Sequence, residues 1–122
     1  MSTPSAPFDP DVLRDTAGGD EELVSELLAI YLRIMPPMNS RLRAAVHAEN
    51  TAAIAEEAHS MRSCLAVVGA GDLQERCKSL ENAARRGHVL PNAFGSGLCE
   101  EVDGLTARVY DYNASRLPSP GK

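Results

Sequence analysis

The 122-residue sequence has no tryptophan, two phenylalanines, three tyrosines and three cysteines. So few aromatics argue against a β-rich core, which leans on aromatic and β-branched side chains. Cys64, Cys77 and Cys99 are odd in number and irregular in spacing. That excludes a closed disulfide framework and a zinc knuckle, and it suits a reducing, cytoplasmic setting. No apolar run approaches the roughly 18 residues needed to cross a bilayer. The opening MSTPSAPFDP lacks the basic start and apolar stretch of a secretory signal. There is no basic surplus either. The 12 Lys and Arg against 17 Asp and Glu leave a net charge of −5, which argues against a nucleic-acid or anionic-membrane surface.

What is present is helical in character. Ala (17) and Leu (13) dominate, and the length suits one domain. Residues 1–7 and 117–122 are rich in Pro and Ser and are expected to be disordered tails around a bundle at 8–116. Asp9 followed by Pro10 opens a short first helix that Gly18-Gly19 ends. A second helix starts near Asp20 with the stripe Leu23, Leu27, Ile30, Ile34, Met38, Leu42, Ala45 and Val46. Pro36-Pro37 interrupts that stripe but leaves it in phase, which predicts one kinked helix rather than two. Asn50 or Thr51 caps a third helix carrying Ile54, Ala58, Met61, Leu65 and Val68. A fourth carries Leu73, Cys77, Leu80 and Ala84 and stops at Gly87. A fifth follows Pro91 with Phe94, Leu98, Val102, Leu105, Val109 and Tyr112, its first turn weakened by Gly95 and Gly97. No segment alternates with period two. The predicted fold is all-α, an antiparallel four-helix bundle with the short first helix capping one end.

The third helix carries the residue best placed for chemistry. At about 100° per residue its five apolar positions cluster within roughly 40° of one direction, and His59 points about 140° away from it. Ala52, Ala55, Ser63 and Ala66 share the face of His59, with Arg62 at the flank. Small side chains leave the imidazole open to a second protein. A free imidazole, with an ordinary pKa of about 6.5, has a lone pair available at neutral pH without a dedicated base.

The stretch AHSMRSCLAVVGAGDLQERCKSLENAARRG, residues 58–87, resembles the histidine-containing phosphotransfer (HPt) domain. The likeness is carried by Ala58-His59, Met61, Arg62, Ser63-Cys64, Gly69-Ala70, Leu73, Cys77, Leu80-Glu81 and Arg86-Gly87, and it extends over about residues 9–115. It implies that His59 accepts and donates a phosphoryl group and that Arg62 stabilises it. It implies a phosphoryl carrier rather than a stand-alone catalyst. It implies as partner the receiver domain of a hybrid sensor kinase or response regulator, which would bring the Mg²⁺. Ala52, Ala55, Ser63 and Ala66 then serve access and docking. The family commonly has Gly at the place of Ser63 and Ser or Thr at that of Cys64. A phosphate-independent scaffold or inhibitor with the same fold is therefore the alternative. With one apolar stripe per helix, a monomer is expected.

Other signals carry less. Glu56-x-x-His59 has the spacing of a di-iron motif but no second copy, so no metal is expected. His47 and His88 read as surface residues at helix ends. Cys77 reads as a core residue and Cys64 as a boundary one. The GAGD of 69–72 reads as a helix–helix turn, and Arg85-Arg86 as a basic helix end.

Overall fold

A computed structural model describes residues 8–116; the tails expected at 1–7 and 117–122 lie outside the described residues. It contains α1 (Pro10–Thr16), α2 (Glu21–His47), α3 (Thr51–Val67), α4 (Gly71–Arg85) and α5 (Asn92–Arg116). The starts are where side-chain oxygens satisfy free backbone donors. Asp9 accepts from the Asp11 amide at 3.0 Å. Asp20 accepts from Glu22 and Leu23 at 2.9 and 3.3 Å. Asn50, rather than Thr51, caps α3 by accepting from Ala53 at 3.1 Å.

Helices α2 to α5 form the antiparallel bundle, and pairs between helices record its order. Arg41 on α2 meets Glu57 on α3, and Arg62 on α3 meets Glu81 on α4. Arg76 on α4 meets Glu101 on α5. Tyr31 and Asn39 on α2 reach Thr106 and Asp103 on α5, closing the ring. The short helix α1 seals one end. Gly69, at φ +71°, turns the chain from α3 to α4, and a Cβ there would stand 2.7 Å from that of Asp9. The Asp9 amide donates to the Val68 carbonyl at 2.9 Å across the same junction.

Helix α2 runs unbroken through Pro36 and Pro37. Each proline lacks an amide, which frees the carbonyls of Leu32 and Arg33 from the ladder. Both prolines are exposed, so water can replace the missing donors on that side. The first half of α2 differs in register from the sequence expectation. Val24, Leu28, Tyr31 and Met35 fill the core. Leu23 and Leu27 are only partly buried, and Ile30 and Ile34 are exposed. Two apolar stripes run side by side here, each with the same three-and-four spacing. Periodicity registers both and does not say which is central. From Met38 onward the expected and observed stripes coincide.

The stripes of α3 and α4 are buried as expected. In α5, Leu98, Val102, Leu105 and Val109 are buried, whereas Phe94 and Tyr112 are partly so. Gly95 brings the start of α5 against the end of α2, since a Cβ would fall 2.8 Å from both Val46 methyls. Fully burying each Leu or Met of this core contributes about 1.5–3 kcal/mol.

Candidate functional site

His59 stands on the outer face of α3 with 63% of its side chain exposed. Its Nδ1 lies 2.9 Å from Oε2 of Glu81. Glu81 comes from α4, and its side chain is only 5% exposed. It sits on the edge of a core stripe, four residues after Cys77 and three before Ala84, facing α3. A carboxylate buried there requires compensation. Arg62 Nη1 donates to Oε1 at 2.8 Å. Arg85 donates to Oε2 through Nε at 2.9 Å and Nη2 at 2.7 Å.

Burial pushes the Glu81 carboxyl up, but the hydrogen bonds from Arg62, Arg85 and His59 outweigh it and bring the pKa down to about 2. Glu81 is therefore ionised at neutral pH and only accepts hydrogen bonds. It follows that the His59 nitrogen facing it carries the proton. In the neutral ring the lone pair then resides on Nε2. An anionic acceptor on one ring nitrogen thus fixes the tautomer and orients the ring, as it does for catalytic and metal-binding histidines.

The other residues singled out from sequence divide into two groups. Ala52 and Ser63 are exposed beside His59, and Ala66 is half-buried. Ala55 is a correction: it is buried in the core. It lies on the α4 side of α3, where a helix packed on two neighbours buries a wider arc than its apolar stripe suggests. Arg62 is half-buried and bound to Glu81 of α4. Its Nε is buried without a hydrogen-bond partner.

In the sequence Glu81 stands within the HPt-like pattern and Arg85 at a basic helix end; the structure brings both to the His59 site. The available signal was a lone Glu on the edge of an apolar stripe with an Arg four residues later. His47 and His88 are exposed, and neither bonds to Glu81. Burial pushes the Cys77 thiol up to about 12, and it also raises that of Cys64, so neither is a ready nucleophile. Among the described residues no three His, Cys, Asp or Glu side chains gather as metal ligands.

An exposed histidine, oriented by a buried carboxylate, thus stands on the outside of a helical bundle. Comparison with known proteins gives the family. A family model described as the Hpt domain matches residues 26–108. The crystal structure of histidine-containing phosphotransfer protein B (HptB) from Pseudomonas aeruginosa PAO1 is similar with a TM-score of 0.72 and 26% identity. The likeness covers 92% of this chain and 95% of that one. No curated protein matches the chain. The chain belongs to the Hpt family and functions as a phosphotransfer domain, a carrier of phosphoryl groups rather than an enzyme.

Proposed function

We propose that His59 is the phosphoryl-carrying residue and that it shuttles the group between aspartates of receiver domains, or from a hybrid sensor kinase to a response regulator. The observation that carries this is the 2.9 Å hydrogen bond from Nδ1 to Glu81 on a ring that is 63% exposed. It leaves Nε2 as the nucleophilic atom. In the forward step the Nε2 lone pair forms the N–P bond while the P–O bond of the aspartyl phosphate breaks. The carboxylate leaves with that electron pair. Transfer of this kind is mainly positioning and charge neutralisation, so the bundle has little to supply beyond an oriented ring and cations. Arg62, held against Glu81, turns its remaining N–H groups toward the phosphoryl oxygens. The receiver contributes the Mg²⁺.

The docking surface is the face of α3 around Ala52, Ser63 and Ala66, with the adjoining flank of α2. Exposed Ile30 and Ile34 belong to that flank. Ile34 lies seven residues, two helical turns, before Arg41, which touches Glu57 of α3. Exposed apolar side chains on this flank suit a transient protein contact. No helix among the described residues is long and apolar enough to cross a membrane, and a cytoplasmic monomer fits the reading.

The test is transfer from a phosphorylated receiver domain. The wild-type chain takes up acid-labile phosphate, and His59→Gln does not while keeping its helical circular dichroism. Label retained by His59→Gln refutes the assignment. Binding of the receiver without loss of its phosphate supports the scaffold alternative instead.

A further inference from the structure

Orienting a neutral imidazole takes one carboxylate; it does not call for two guanidinium groups. With Glu81 ionised and the His59 ring uncharged, the four side chains of His59, Arg62, Glu81 and Arg85 sum to a charge of +1. The two arginines differ in their freedom. Arg62 is 32% exposed and holds Oε1, with its Nε enclosed. Arg85 is 55% exposed, and both of its bonds fall on Oε2, the oxygen that also accepts from His59. Its guanidinium is thus a single oxygen atom away from the imidazole. Beside it lies an open groove between α3 and α4 lined by Thr51, Ala52, Ala55, Glu56, Ala84 and Gly87, mostly small side chains that leave its side chain room to move.

We propose that Arg85 exchanges partners when His59 is phosphorylated, leaving Oε2 of Glu81 for an oxygen of the phosphoryl group on Nε2. The proposal rests on the reading of His59 as the carrier. Charge balance supports it. When the N–P bond forms, the Nδ1 proton stays on the ring, which becomes an imidazolium carrying a dianionic phosphoryl group. That unit has a net charge of −1 and neutralises the surplus in the cluster. Arg85 gains charge-assisted bonds to phosphoryl oxygens, which are stronger acceptors in number and charge than one shared carboxylate oxygen. Glu81 Oε2 is then left to the imidazolium Nδ1–H alone, and Arg62 keeps Oε1 paired. Onward transfer reverses the exchange. Arg85 is therefore a phosphoryl-binding residue, present in the resting state as a partner of Glu81.

The experiment uses the full chain with phosphoramidate as donor, whose P–N bond breaks as ammonia leaves. Phosphohistidine is quantified by ³¹P NMR, and the arginine Nε–Hε resonances are followed in ¹⁵N-labelled protein. The Arg85 resonance shifts on phosphorylation of the wild type and stays in place in His59→Gln treated alike. Arg85→Gln lowers the steady-state phosphohistidine fraction about tenfold, the scale of one charge-assisted hydrogen bond, and Arg85→Lys restores most of it. A purely structural role for Arg85 moves thermal stability but not its resonance on phosphorylation. An unmoved Arg85 resonance in phosphorylated wild type overturns the proposal, whatever the variants do. So does an Arg85→Gln variant that holds phosphate as the wild type does. A wild type that takes no phosphate overturns the carrier reading itself, and the proposal with it.

Discussion

Replacing Glu81 by Gln removes the charge at the centre of the site while keeping its volume. In the wild type the carboxyl pKa falls from 4.5 to about 2. At about 1.4 kcal/mol per unit this lowering corresponds to roughly 3 kcal/mol of stability. Arg85 is 55% exposed and Arg62 32%, so solvent screens part of the attraction. The net effect is then about 1–2 kcal/mol. The sign follows from the direction of the shift. A carboxyl more acidic in the folded than in the unfolded chain stabilises fully above the unfolded value of 4.5. That contribution is lost as the pH falls toward 2. Glu81→Gln should therefore unfold at lower denaturant than the wild type at neutral pH, and the gap should close progressively below pH 4.5. Urea unfolding followed by far-ultraviolet circular dichroism, across that range, measures it. Equal stability at neutral pH, or a gap that persists undiminished in acid, refutes the electrostatic account of Glu81.

Three further outcomes are expected. Ser63→Arg, on an exposed position beside His59, should block transfer from a phospho-receiver with melting unchanged within about 0.5 kcal/mol; unimpaired transfer would show that this face is not the docking surface. Gly69→Ala should destabilise by about 2 kcal/mol or more, because it combines a left-handed backbone with a Cβ 2.7 Å from that of Asp9; calorimetry reads the loss, and a neutral result would mean that α1 does not pack as described. Glu49, at φ 55°, holds the left-handed position after α2 that favours glycine, so Glu49→Gly should raise stability by roughly 1 kcal/mol in the same assay.

Much of the fold was legible because its signals are local. Capping aspartates, the glycine stops and stripes of three-and-four spacing lie within each segment, and they placed all five helices. The exposure of His59 was legible too, since it follows from angle alone. What failed depended on neighbours. The core register of early α2 turned on which of two equivalent stripes met α5, and Ile30 and Ile34 lost to Leu28 and Tyr31. Ala55 went inside because α4 packs closely against that flank of α3. The link from Glu81 to His59 spans two helices, and no spacing within either helix encodes it. Arg85 belongs to the same case: its i,i+4 relation to Glu81 is visible in the sequence, but its approach to His59 needs the bundle.

The atom that reacts is the point on which the rest turns. A ¹⁵N-resolved histidine spectrum of the unmodified and phosphorylated chain reports it directly. The expected result is His59 protonated at Nδ1 in both states, with the phosphorus bonded to Nε2. Phosphate on Nδ1, or a resting ring protonated on Nε2 alone, would contradict the role assigned to Glu81.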